Sequence, residues 1–120
     1  MTDISKIDMN RIEGLLDKLE SMKYVVETGS NENGWYRIWS DGWIEQGNIV
    51  TSVSGSGSFN VYFPKSFSNN SYTLSALLGT TDGTYWINYI TKYNNYFVGN
   101  CCNYNGTHNR IPYNWYACGY

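Results

Sequence analysis

Two aromatic segments flank the dipeptide Asp41-Gly42, within the sequence WYRIWSDGWIEQGN, and this arrangement constrains the fold most strongly. A two-residue type I′ turn needs positive φ at both central residues, and Asp-Gly is among the pairs that supply it. We therefore predict a β-hairpin. The predicted register pairs Ser40 with Trp43, Trp39 with Ile44, Ile38 with Glu45, and Arg37 with Gln46. It places Arg37, Trp39, Ile44 and Gln46 on one side of the ribbon.

An amphipathic helical pattern precedes the hairpin, from residue 3 to about residue 27. Its apolar residues alternate between spacings of three and four, as in a coiled-coil seam, and they are Ile12, Leu15, Leu19, Met22 and Val26. The seam spans barely two heptads, and Gly14 costs the helix about 1 kcal/mol, so an isolated helix is marginal. We predict that copies of the chain trimerise through this seam. Packing of the helix against its own β domain is the alternative.

The apolar period changes after residues 28–34 (TGSNENG), which predict a linker. Five further strand-like runs follow the hairpin, at residues 57–63, 72–78, 84–91, 96–101 and 115–119. Residues 52–58 predict a loop or an irregular edge. Seven short strands are typical of an all-β, antiparallel β-sandwich. We therefore predict a trimerising helix over residues 1–27 and a sandwich over residues 28–120.

The composition argues against several classes of partner. The net charge is −2 and charged residues make up 15% of the chain, without any cluster of Lys or Arg, so nucleic acid is not expected to bind. No apolar run approaches the roughly 20 residues of a membrane-spanning helix, so membrane insertion is not expected. The N-terminal residues lack a signal-peptide pattern, which predicts synthesis and folding in a cytoplasm.

Catalytic patterns are also absent from the sequence, and we expect neither an enzyme nor a cofactor. The single histidine, His108, lies in a turn-like segment; in a trimer, three copies could meet and hold a metal or an anion, an alternative that stays open. The three cysteines are odd in number. We expect them to pack as thiols, and a Cys118 bridge to Cys101 or Cys102 is the alternative.

Tyrosine, tryptophan and asparagine are dense between residues 85 and 116. Aromatic faces stack on sugar rings, and amides, guanidinium groups and phenols form hydrogen bonds to sugar hydroxyls. The predicted ligand-binding residues are Trp86, Tyr93, Asn94, Asn95, Tyr104, Asn105, His108, Asn109, Arg110 and Tyr113, which we expect on loops at the distal end of the sandwich. Filling of the core or of a subunit interface is the alternative role for these aromatic rings.

Three segments resemble the C-terminal knob domain of bacteriophage tail fibres: residues 24–47 (YVVETGSNENGWYRIWSDGWIEQG), 61–77 (VYFPKSFSNNSYTLSAL) and 115–120 (WYACGY). The FPKSF segment is also similar to a turn of the H-type lectins, which are sugar-binding trimers. The resemblance implies a homotrimer at the distal end of a virion tail fibre, joined to an upstream shaft. It also implies host attachment through a bacterial surface glycan, either polysaccharide or lipopolysaccharide. A structural trimerisation cap and a free lectin are the alternatives.

Overall fold

The computed structural model describes residues 4–79, 84–103 and 105–120, without the side chains of residues 4–9. The described residues form one helix, α1 (Ile4–Ser21), and eight strands: β1 (Val25–Asn31), β2 (Gly34–Trp39), β3 (Ile44–Val50), β4 (Phe59–Tyr62), β5 (Thr73–Leu78), β6 (Tyr85–Lys92), β7 (Tyr96–Asn103) and β8 (Tyr113–Gly119). One sheet has the order β1-β2-β3-β8-β5 and the other β4-β7-β6, with all neighbours antiparallel. The predicted β-sandwich is confirmed, and each of the five strand-like runs overlaps an observed strand.

Aromatic side chains fill the space between the two sheets. The ring of Phe63 lies at its centre, 5.0 Å from Tyr72 and 5.4 Å from Trp115 between ring centroids. Phe67 stacks on Tyr72 at 4.6 Å. Alternate residues of β8 face this core and are buried, as expected for a strand with one covered face. Part of the aromatic content thus serves the core, which is the alternative role that the sequence left open.

The helix α1 ends at Ser21, so the prediction that it continues to about residue 27 is wrong. Residues 25–31 pair with β2 instead, and two hydrogen bonds fix the change of direction: Ser40 N donates to the Tyr24 carbonyl at 2.7 Å, and Tyr24 N donates to the side-chain oxygen Oγ of Ser40. Val26, predicted in the helical seam, therefore lies in β1. The sheet begins three residues before the predicted domain boundary.

Among the described residues, α1 packs against none of the strands, and the molecule is 79 Å long but only 28 Å and 23 Å across. The helical seam residues Ile12, Leu15, Leu19 and Met22 are between 46% and 57% exposed. The helix therefore does not lie against its own β domain, and its apolar stripe has no partner within the described part of the chain.

Residues 28–34, predicted as a linker, instead form the end of β1, a tight turn and the start of β2. Asn31 Oδ1 accepts a hydrogen bond from Asn33 N at 2.8 Å, which closes the turn. Gly34 has a φ of 137°, and a side chain there would collide with the Gly47 carbonyl. The Gly, Asn and Ser content of this segment reflects a hairpin turn rather than a linker.

The hairpin at Asp41-Gly42 exists, but its register differs by one residue from the predicted one. Ile38 pairs with Ile44 and Arg37 with Glu45, while Trp39 N donates to the Trp43 carbonyl at 2.8 Å. The loop therefore has three residues, 40–42. Gly42 N donates to the Trp39 carbonyl at 2.9 Å.

Only Gly42 has positive φ in this loop, 89°, which is the geometry of a type I turn followed by a glycine bulge. Because a slip of one residue exchanges the faces of a strand, the predicted common face is wrong. Arg37 and Trp39 lie on the outer face of the sheet, whereas Ile44 and Gln46 are buried on the inner face.

The antiparallel topology gives the sandwich two distinct ends. The helix enters at the proximal end, which also carries the 40–42 loop, the end of β8 and the β6–β7 turn at residues 93–95. Two backbone bonds join the features of this end, from Phe67 N to the Asn94 carbonyl at 2.8 Å and from Ser68 N to the Tyr120 carbonyl at 2.9 Å. The distal end carries the β1–β2 turn and the loops at residues 51–58 and 105–112.

Candidate functional site

The distal loop at residues 105–110 is held in a defined conformation. Asn103 Oδ1 accepts hydrogen bonds from Asn105 N at 3.1 Å and from Thr107 N at 2.9 Å. Gly57 N donates to the His108 carbonyl at 2.8 Å, and an isolated bridge joins Asn109 to residue 56. The side chains of Asn105, His108 and Asn109 are exposed on this framework, as expected for residues that could contact a ligand.

Arg110 belongs to the same loop but has a structural role that the sequence did not indicate. Its guanidinium donates to the Ser54 carbonyl at 3.2 Å and to the Ser58 carbonyl at 2.8 Å, and it lies 5.8 Å from the ring centroid of Phe59. These contacts tie the 51–58 loop to the 105–112 loop. The guanidinium group predicted to meet a ligand is therefore already engaged with its own chain.

A cleft of about 220 Å³ opens between these two loops. Tyr113 contributes to its lining but is only 7% exposed, with its ring centroid 5.1 Å from that of Phe59. Burial raises the pKa of Tyr113 to about 12. This tyrosine is thus mainly a core residue. Ser52, Ser54 and Asn60, which the sequence did not single out, supply the polar groups around the cleft.

Tyr93, Asn94 and Asn95 form the β6–β7 turn at the proximal end, so they do not join the distal residues. The carbonyls of Asn94 and Asn95 accept hydrogen bonds from the segment at residues 63–67, and Tyr93 stacks on Tyr96 at 4.5 Å between ring centroids. The eight residues of β7 span about 23 Å between the two ends. The prediction of one distal site containing all these residues is therefore wrong for a single chain.

The remaining predicted residues lie elsewhere. Trp86 is in β6, paired with Cys102 in the three-stranded sheet, and is 48% exposed. Tyr104 lies outside the described residues. His108 Nδ1 is 3.3 Å from Cys102 Sγ and 3.2 Å from Asn100 Oδ1, so the imidazole contacts its own chain.

All three cysteines are free thiols. Cys101 alone among them is fully buried, and it faces the core.

The outer face of the five-stranded sheet carries a polar network around Glu45. This carboxylate accepts hydrogen bonds from Arg37 at 3.0 Å, Trp39 Nε1 at 2.6 Å and the Tyr116 hydroxyl at 3.0 Å. Burial acts to raise the pKa of Glu45, but these hydrogen bonds and the Arg37 charge outweigh it, so the pKa is lowered. The Arg37 guanidinium lies 5.8 Å from the ring centroids of both Trp35 and Trp39. Because its main groups are engaged with one another, this network stabilises the sheet rather than presenting an open site.

An apolar patch lies beside this network, on the distal half of the same outer face. Ile49 and Leu77 are 73% and 67% exposed, and Trp35 and Tyr116 complete the patch at 39% and 38%. These four residues come from four adjacent strands and line a shallow groove. Aliphatic side chains this exposed and this close together are typical of a surface that another protein covers.

Among the described residues, no group of three or more His, Cys, Asp and Glu side chains is placed to hold a metal ion. No helix in the described ranges is long and apolar enough to cross a membrane.

Comparisons with known proteins identify a family. Residues 37–120 match the family described as "Putative tail fiber protein gp53-like, C-terminal". The fold is similar to a solved structure of the C-terminal part of the R1 pyocin fiber of P. aeruginosa, with a TM-score of 0.52 and 17% sequence identity over 79% of this chain. This chain spans 28% of the length of that fibre chain. No curated protein sequence matches significantly.

Proposed function

Because the chain belongs to the family of C-terminal domains of gp53-like tail fiber proteins, we propose that it is the receptor-binding tip of a bacteriophage tail fibre. In this role it binds a glycan of the bacterial surface, either polysaccharide or lipopolysaccharide, without catalysing a reaction. The observation that supports the proposal best is the arrangement of the two ends. The helix enters at the proximal end, where a shaft would continue, and an ordered polar loop surface lies at the opposite, distal end.

The distal surface consists of the exposed side chains of Asn105, His108 and Asn109 together with the serine-rich 51–58 loop across the cleft. Amides, hydroxyls and imidazole are suited to the hydroxyl groups of neutral sugars and to acidic substituents. Single sites of this kind bind weakly. Several copies on one particle compensate, because the first contact raises the effective concentration of the others.

We propose that the tip is a homotrimer. Two exposed apolar surfaces support this assembly: the helical seam at Ile12, Leu15, Leu19 and Met22, and the apolar patch on the five-stranded sheet. Parallel helices with apolar residues spaced three and four apart bury such a seam, and the patch offers the β domain a second contact. Light scattering should give three times the chain mass of 13.8 kDa. A stable monomer at micromolar concentration would contradict the assembly.

Adsorption to host cells tests the location of the site through two matched double variants. Asn105→Ala with Asn109→Ala removes two distal amides, whereas Asn94→Ala with Asn95→Ala removes two exposed amides at the proximal end. We expect the distal variant to lose adsorption by at least tenfold and the proximal variant to adsorb normally. Melting temperature and oligomeric state should be unchanged in both.

Normal adsorption by the distal variant would refute the distal site, and loss in the proximal variant alone would assign binding to the Tyr93 end.

A structural trimerisation cap is the second candidate function. The apolar patch favours it, because an exposed apolar patch is suited to a protein partner rather than to a glycan. A knob that trimerises but binds neither host cells nor their purified surface glycans would support the cap. Glycan binding by an isolated knob of non-viral origin would support a free lectin.

A further inference from the structure

Three side chains of different chemistry converge on the outer face of the three-stranded sheet. Asn100 and Cys102 are alternate residues of β7 and share this face, and His108 folds back over them from the distal loop. Cys102 Sγ lies 3.3 Å from His108 Nδ1, His108 Nδ1 lies 3.2 Å from Asn100 Oδ1, and Asn100 Nδ2 lies 3.2 Å from Cys102 Sγ. We name this group the Asn-Cys-His cluster.

The tautomer of His108 decides how these contacts are shared. If Nδ1 carries the proton, it donates to the Asn100 oxygen and can share that proton with Cys102 Sγ, which is a weak acceptor. If Nδ1 is unprotonated, it can accept the Cys102 thiol proton, and its lone pair then lies against the Asn100 oxygen. In this second form the imidazole nitrogen and the amide oxygen are two acceptors 3.2 Å apart, an arrangement that a shared cation would satisfy.

We propose that the Asn-Cys-His cluster binds a divalent metal ion of the zinc class. Thiolate and imidazole are the donors that Zn²⁺ prefers, and an amide oxygen can supply a third ligand. Zn–S and Zn–N bonds of about 2.3 and 2.0 Å in tetrahedral geometry separate the two ligand atoms by about 3.5 Å. The observed separation of 3.3 Å needs an adjustment of only a few tenths of an ångström.

The protein holds these ligands before any metal arrives. Asn100 and Cys102 are fixed by strand pairing, and the backbone of His108 is fixed by the bond from Gly57 N at 2.8 Å and by the turn that Asn103 closes. The imidazole is exposed and Cys102 is half-buried, so an ion can reach the cluster and keep a fourth position open to water. Because only two of the ligands are strong, we expect micromolar affinity. Metal binding would tie the distal loop to β7.

Titration of the reduced, metal-free chain with Co²⁺ tests the proposal. We expect a sulfur-to-cobalt charge-transfer band that saturates at one ion per chain and is displaced by Zn²⁺. The band should vanish in Cys102→Ser, and His108→Ala should weaken binding at least tenfold. Cys118→Ser is the matched control, because Cys118 is also half-buried but lies on the other sheet.

Absence of a thiolate band in the wild type would overturn the proposal, as would a band that survives both Cys102→Ser and His108→Ala or disappears in Cys118→Ser. His108 is exposed, so its variant keeps the test valid even if Cys102→Ser fails to fold. The measurement involves no receptor. A negative result would therefore contradict the metal site without contradicting the proposed attachment function.

Discussion

Replacement of Gln46 by methionine should destabilise the β domain although the two side chains are of similar size. Gln46 is the only polar side chain that is fully buried among the described residues, at 0% exposure. Its Nε2 donates to the Lys65 carbonyl at 2.8 Å, and its Oε1 accepts from Lys65 N at 3.0 Å. The amide thus pairs both backbone groups of the residue between Phe63 and Phe67, and it holds the turn that delivers these two rings to the core.

Methionine has nearly the same length but leaves both Lys65 groups unpaired. A buried unpaired group costs about 1–3 kcal/mol. Lys65 is only half-buried, so the lower part of that range applies to each group, and the expected loss is about 2–4 kcal/mol. For a chain of this size, about 3 kcal/mol lowers Tm by about 10–15 °C.

Chemical denaturation at a fixed protein concentration measures this loss, because oligomer dissociation would otherwise shift the midpoint. Asn60→Met is the matched control: it replaces an exposed amide on β4 and should change stability by less than about 0.5 kcal/mol. Equal stability of Gln46→Met and wild type would refute the reasoning.

The Gln46→Glu variant provides a second signature. In its protonated form, the introduced carboxyl group can donate to the Lys65 carbonyl and accept from Lys65 N, whereas the ionised form would direct a lone pair at that carbonyl. The folded pKa of this carboxyl group should therefore be raised. Gln46→Glu should approach wild-type stability below the unfolded pKa of about 4.3 and lose stability as the pH rises above it.

Two further predictions concern the hairpin and its outer face. Gly42→Val places a β-branched residue at a φ of 89°, with only ordinary contact to Tyr120, so the backbone alone should cost about 1–3 kcal/mol; an unchanged denaturation midpoint would contradict the bulge geometry. Glu45→Gln removes a carboxylate whose pKa is lowered by its partners. The stability difference from wild type should be full above about pH 5 and disappear as the pH falls through the folded pKa of Glu45; a constant difference from pH 7 to pH 3 would show that charge plays no part.

Local sequence patterns predicted the β-sandwich and most of its strands, because alternation and turn residues act over a few positions. The errors came where a local pattern permits two outcomes. An Asp-Gly pair fits a two-residue loop or the end of a three-residue loop, and only the packing of Ile38, Ile44 and Gln46 into the core selects the second. Residues 25–31 fit a helix end and a linker by composition, but pairing with β2 satisfies their backbone groups.

The sequence could predict which residue types occur at the candidate site, but not which of those residues the fold brings together. The sequence predicts Asn105 and His108 as exposed loop residues, and both are exposed in the structure. A ligand contact is predicted for Arg110 because arginine is a versatile donor, but its two terminal nitrogens donate hydrogen bonds to the carbonyls of Ser54 and Ser58, more than fifty positions away in the chain. The contact between Cys102 and His108 could not be predicted from the sequence either. It forms because the turn that Asn103 closes, just after β7, brings His108 back over that strand.

Topology explains why a continuous stretch of sequence could not be one binding surface. The predicted stretch from residue 86 to residue 113 runs along β6 to the proximal end, turns at residues 93–95, and returns along β7 to the distal end. In an antiparallel sandwich successive connections alternate between ends, so loops that share an end are separated in sequence by an even number of strands. The 51–58 and 105–112 loops share the distal end with four strands between them, and Arg110 joins the two loops. In the proposed function, a receptor contact at the distal end would therefore draw on both loops, and serine hydroxyls of the 51–58 loop belong with the amides of the 105–112 loop in the proposed glycan-binding surface.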